Sequence, residues 1–229
     1  MLWKHLFSIF KKDTLLDKAF QQSYEMLDIT RQMYVSAKSS LREQEHNQMD
    51  IDIYTQDRQV NRYEREVRRN VLRHLTVTGT EDSYSCLVLV SIIIDIERIG
   101  DYTKNIVDLA RNHPAKLTGG LYEEDLQKIE HAVEDTFIRV THQFKNSDSK
   151  DAEKLLLEYE WVNKICDQHT IDHIKEVDKT VSSGDAVSLA LYYRYIKRIN
   201  SHLRNIATSI VNPFDQIGFT HNLKKEVDH

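Results

Sequence analysis

Two acids four residues apart, Glu97 and Asp101, stand in the stretch Glu97-Arg98-Ile99-Gly100-Asp101-Tyr102-Thr103-Lys104-Asn105-Ile106. On a helix, positions i and i+4 are neighbours with Cβ atoms about 5–6 Å apart, and like charges there repel by a few tenths of a kcal/mol. A hard cation reverses that sign by drawing oxygen ligands from both. Gly100 lies between the two acids. Glycine inside a helix costs about 1 kcal/mol relative to alanine, a cost tolerated where another backbone, a ligand or a metal comes close. Asn105 extends the same face by one turn, with an amide oxygen that can accept from water or coordinate an ion. One helix supplies too few ligands. Asp57, Asn61 and Glu64 repeat an i, i+4, i+7 spacing on the preceding segment, and packing of the two segments would complete an oxygen-rich site. The plainer alternative is a solvated face whose acids pair locally with Arg98 and Lys104.

Long helices must hold these residues, and the composition provides for them. The chain has 229 residues, 40% hydrophobic and 29% charged, with only 6 Gly and 2 Pro. That apolar share excludes a disordered chain, and so few breakers argue against a strand-and-turn protein. A net charge of −5 argues against a sequence-independent nucleic-acid partner, which needs concentrated Lys and Arg. Cys86 and Cys166 stand alone, without a CxxC. They suggest neither a disulfide framework nor a zinc site, but core positions in a reducing, intracellular compartment. The longest apolar run, residues 86–96 with Ser91 and Asp95 inside it, falls short of the roughly 20 residues of a bilayer span and reads as a buried helix.

Six helical stretches are expected, over residues 13–41, 51–75, 81–112, 122–145, 151–181 and 185–212. Thr78 with Glu81 has capping-box spacing at the start of the third, with Thr80 an equal candidate. Pro114 and Pro213 stop the third and sixth. At about 30 residues each helix is about 45 Å long, and short connections make neighbours antiparallel. The expected fold is all-α: two tandem antiparallel three-helix bundles, residues 1–117 and 121–229, joined at Thr118-Gly119-Gly120. An internal repeat supports duplication. At an offset of 100, Leu89, Ile96, Arg98, Ile99, Asn105 and Ile106 recur as Leu189, Ile196, Arg198, Ile199, Asn205 and Ile206. Val60-Asn61 is echoed by Val162-Asn163 in the helix before.

The stretch Asp95-Ile96-Glu97-Arg98-Ile99-Gly100-Asp101, followed by Asn105-Ile106, resembles the signature of the PhoU family of bacterial phosphate-uptake regulators. That family carries an acidic residue, three residues and an aspartate late in each of two three-helix bundles. The resemblance implies an all-helical, non-enzymatic regulatory protein acting at the inner face of the membrane. Its partners would be a phosphate transporter or the sensor kinase of the phosphate response. It also implies a divalent or trivalent metal ion (iron, manganese, magnesium or calcium) on the bundle surface. The motif carries over to Glu97 and Asp101, with Asp95 on a position that is often acidic. In the second half Lys197 and Ser201 replace the two acids. A lysine ammonium cannot ligate a cation, so a metal is expected on the first repeat only, and His202 beside it is expected to be an ordinary surface or interface residue.

Two other classes compete. A carboxylate-bridged di-iron enzyme needs Glu-x-x-His motifs on paired helices. Only Glu43-x-x-His46 and Glu226-x-x-His229 have the spacing, and neither belongs to the acidic motif. A metal-free helical adaptor is the other. The start of the chain, with Leu2, Trp3, Leu6, Phe7, Ile9 and Phe10 among Lys4, Lys11 and Lys12, reads as a short basic amphipathic element. It fits peripheral membrane contact, capping of a bundle end, or exchange in a homodimer. The expected location is cytoplasmic, at or near the inner membrane.

Overall fold

The computed structural model describes residues 14–43 and 52–220. The amphipathic start, and with it any contact it makes, lies outside the described residues, as do His46, Glu226 and His229.

The first bundle comprises α1 (Leu15–Arg42), α2 (Ile53–Thr78) and α3 (Ser83–Asn112). The α1 start is set by Thr14, whose side chain accepts from Asp17 N while the Asp17 carboxylate accepts from Thr14 N. That reciprocal bonding satisfies two otherwise orphaned donors. Leu16, Phe20, Leu27, Met33 and Ala37, spaced along one face of α1, are all buried. Asp52 caps α2 by accepting from Tyr54 N and Thr55 N. At the α2–α3 turn Gly79 takes φ +73°, a left-handed conformation that favours glycine. The cap of α3 is Asp82, not Thr78 or Thr80, and it makes no side-chain bond to the helix start. Its carboxylate is instead 2.8 Å from His74 Nε2, tying the start of α3 to the end of α2.

The second bundle comprises α4 (Glu123–Asn146), α5 (Ser149–Glu158), α6 (Glu160–Ile174) and α7 (Ser183–Val211). The expected fifth helix is therefore two helices, and it stops at Ile174 rather than at 181. It breaks at Tyr159, where φ −104° and ψ 22° leave the helical region and the hydroxyl donates to Asp135 of α4 at 2.8 Å. It stops because Glu176 takes φ +53° and Asp178 bonds its own neighbourhood, accepting from Thr180 N at 2.8 Å and Thr180 Oγ1 at 2.6 Å. Such local side-chain bonds compete with helix continuation. A capping box of Ser182 and Asp185 then opens α7.

The third helices of the two halves, α3 and α7, pack along each other, and α1 packs on α4. Leu89, Ile96, Ile99 and Ile106 are fully buried, and so are Leu189, Ile196, Ile199 and Ile206. The apolar positions of the repeat visible in the sequence are thus core positions in each half. Buried residues of both bundles form one continuous hydrophobic cluster.

Candidate functional site

The facing edges of α2 and α3 gather most of the expected acids. Lys104 of α3 links them: its Nζ lies 2.9 Å from Asp57 Oδ1 on α2 and 2.8 Å from Asp101 Oδ1 on its own helix. Asn61 donates Nδ2 to Asp57 Oδ2 at 3.1 Å. Arg98 approaches Asp101 at 3.4 Å and Glu97 at 3.8 Å from the solvent side. Glu64 is paired to Arg68 at 2.7 Å. Burial, then the Asp101 carboxylate, then Glu64 push the Glu97 carboxyl up to about 7. An acid in that range holds its proton about half the time at neutral pH. The site is therefore a cluster of carboxylates neutralised by a lysine and by a retained proton.

These residues do not form a metal cage as they stand. The Lys104 ammonium, which has no lone pair to give, bridges Asp57 and Asp101. Among the described residues no group of three or more His, Cys, Asp or Glu side chains is set to hold an ion. Gly100 is buried and turned toward α1 and α2; a Cβ there would lie 3.7 Å from Thr30 Cγ2 and 3.9 Å from Val60 Cγ1. Those are ordinary contacts, so neither packing nor the acid pair requires a glycine.

Asp95 belongs elsewhere. It crosses the junction between bundles, 2.7 Å from His202 Nδ1 and accepting from Asn205 Nδ2 at 2.9 Å. Tyr102 stacks on the His202 ring with centroids 5.8 Å apart, and Arg198 donates to the Tyr102 hydroxyl at 3.1 Å. Asp95 and His202 are thus inter-bundle partners. Sequence reasoning treated them separately because nothing in the spacing shows that α3 meets α7.

The second half answers the loss of its acids in kind. Lys197 of α7 bonds Asp167 of α6 at 2.6 and 2.5 Å. Ser201 accepts from Asn163 Nδ2 at 3.0 Å and donates to the Lys197 carbonyl at 2.8 Å. Of the di-iron candidates, Glu43 is the described member. It lies 3.5 Å from Lys38 and accepts from Ser39 Oγ at 2.9 Å. No described helix is long and apolar enough to cross a membrane.

A second polar cluster escaped the sequence reading. Arg42, at the end of α1, donates Nε to Glu130 of α4 at 2.9 Å, Nη2 to Glu123 at 2.5 Å and Nη1 to the Leu117 carbonyl. Tyr192 of α7 also donates to Glu130, at 2.8 Å. An arginine in the last turn of a helix is commonplace, and only its burial marks this one.

Fold and site together define a class: a duplicated all-α protein of two packed bundles, with a Glu-x-x-x-Asp pair on the outer face of the first. The family model described as PhoU domain matches residues 24–110, which span α1 from Tyr24 on, α2 and most of α3. No curated protein sequence matches the chain. Among solved structures, the crystal structure of PhoU from Pseudomonas aeruginosa superimposes with a TM-score of 0.68 at 19% identity, over 86% of this chain and 95% of that one. The likeness extends the PhoU fold across both bundles.

Proposed function

We propose that this chain is a non-enzymatic regulator of phosphate uptake, working by docking on a membrane phosphate transporter or on the histidine kinase that senses phosphate. The observation that carries this reading is the match of the PhoU domain over residues 24–110, whose acid pair lies half-buried along the edge where α3 faces α2. The acids, arginines and lysines of that face suit a protein surface more than a substrate: they are held by one another and by solvent. The test is a tagged full-length chain, captured from detergent-solubilised membranes of phosphate-replete cells, with deletion of its gene in parallel. Co-capture of the transporter or the kinase, with a phosphate response altered by the deletion, is expected. Neither partner captured and an unchanged response would refute the proposal.

Metal binding through Glu97 and Asp101, which the family resemblance implies, would require Lys104 to leave its two carboxylates. A second reading, a helical adaptor with no ion, is favoured by that same lysine, because its ammonium already supplies the neutralising charge. Lys104→Met separates them. If the acids serve a metal, elemental analysis after loading with manganese or iron shows metal on the wild-type protein and at least as much on the variant. If the lysine is the permanent counter-ion, the wild type carries none and the variant loses stability, by about 1 kcal/mol for a partly exposed network.

A further inference from the structure

The duplication leaves one cation stranded. At the offset of 100, Lys104 of the first bundle corresponds to Arg204 of the second, and Asp101 corresponds to Ser201. At the offset of 102 that aligns Val60-Asn61 with Val162-Asn163, Asp57 corresponds to Tyr159. Both carboxylates that hold Lys104 are therefore gone around Arg204. The structure shows the consequence. Arg204 is only 8% exposed, and its Nη1 is buried without a hydrogen-bond partner among the described residues. Burial, opposed by the more distant charge of Glu160, pulls its pKa down from the ordinary value.

A buried guanidinium is costly and is normally found with an anion. Arg204 lines a cleft of about 280 Å³ between α6 and α7, together with Asn163, Lys164, Ser201 and Thr220. Several donors there are already committed: Ser201 Oγ to the Lys197 carbonyl, and one Asn163 N–H to Ser201. The remaining N–H groups of the guanidinium, the second Asn163 N–H and the Thr220 hydroxyl are left as donors. Glu160 also lines the cleft, but Lys164 lies 3.4 Å from it and offsets its charge. A planar fork of N–H groups with neighbouring point donors matches the oxygens of phosphate or sulfate.

We propose that the cleft beside Arg204 in the second bundle binds a small tetrahedral oxyanion, of the phosphate or sulfate type. The duplicated surface is then of opposite sign in the two halves: acids neutralised by a lysine on the first, a cation awaiting an anion on the second. This goes beyond the regulatory reading and does not rest on it, since binding to the purified chain needs no partner.

The test is calorimetric titration of the full-length protein with inorganic phosphate and, separately, with sulfate, at low ionic strength. Binding of at least one of them in the millimolar range or tighter is expected, with a loss of tenfold or more (about 1.4 kcal/mol) in Arg204→Met. That variant removes a buried charge while keeping most of the apolar stem, and circular dichroism checks its fold. Arg204→Lys, which keeps charge and fold but lacks the fork, is expected to weaken binding several-fold, and Arg31→Met, on the exposed face of α1, to leave it unchanged. Failure of both anions to bind the wild-type protein would overturn the assignment. So would equal binding by wild type, Arg204→Met and Arg204→Lys.

Discussion

The chemistry at Glu97 is set by what surrounds it rather than by its own type. A carboxyl pushed up to about 7 by burial and by the neighbouring Asp101 is protonated in the folded chain over a pH range where the unfolded chain has already released that proton. The folded form binds more protons between the ordinary value of 4.5 and about 7. The stability this group contributes is therefore complete below 4.5 and is lost as pH rises through about 7. Glu97→Gln replaces the carboxyl with a neutral group of the same shape. It is expected to be close to wild type at pH 4.5 and more stable than wild type at pH 8, by about 0.5 kcal/mol, the scale of a like-charge i, i+4 pair. Urea unfolding of both proteins at the two pH values measures it. A variant less stable than wild type at pH 8, in chelator-treated buffer, would show that the charged carboxylate is needed there.

At the scale of elements, the sequence carried most of the architecture because hydrophobic period and breakers carry it. The buried repeat positions are those that recur at the offset of 100, and Pro114 lies just beyond the end of α3, as its chemistry demands. Local competition was less legible. Nothing in the run from 151 to 181 announces the break at Tyr159, which depends on reaching Asp135 in another helix. The end at Ile174 depends on Asp178 folding back on Thr180. The meeting of Asp57 and Asp101 was legible on α2 and α3, where spacing fixes a shared face. The contacts of Asp95 are not legible in the sequence, because its partners, His202 and Asn205, come from a helix about a hundred residues on. The glycines make the same distinction testable. Gly120 has φ +54°, and a Cβ there would strike Asp178 and Val181, displacing the Asp178 carboxylate that accepts from Leu121 N at 2.7 Å. Gly120→Ala is expected to cost about 2 kcal/mol, from the left-handed backbone and the forced shift together. Gly184, inside the first turn of α7, meets nothing closer than Ser182 Oγ at 3.7 Å, so Gly184→Ala is expected to gain about 0.5 kcal/mol. Thermal unfolding of the two variants side by side decides whether backbone conformation, rather than the mere presence of glycine, is what each turn requires.

At the scale of the whole molecule, two bundles that share one hydrophobic cluster should melt as one unit. Their junction has an apolar part, where α3 meets α7, and a polar part around Arg42. Arg42 and Glu130 expose only 8% and 9% of their side chains, and Arg42 joins the last turn of α1 to α4 and to the Leu117 carbonyl ahead of the glycine pair. Burial raises the Glu130 carboxyl above its usual range, while Arg42 and the Tyr192 hydroxyl pull it back down. Removing the guanidinium leaves a buried carboxylate answered by the Tyr192 hydroxyl and the charge of Lys38. Arg42→Met is therefore expected to destabilise the chain by about 3 kcal/mol, the usual cost of orphaning one member of a buried pair. Most of that cost comes from the stranded charge rather than from the lost attraction. Arg42→Met combined with Glu130→Gln should recover a large part of it, because the amide oxygen still accepts from Tyr192 and no charge remains to desolvate. In a Trp3→Phe background Trp161, in α6, is the remaining tryptophan and reports on the second bundle, and far-UV circular dichroism reports on both. Denaturant curves from the two probes are expected to coincide in the wild type and to shift together in Arg42→Met. Separate midpoints in the wild type would mean that the shared core does not couple the halves, and a double variant no better than the single one would mean that Arg42 acts through packing and not through Glu130.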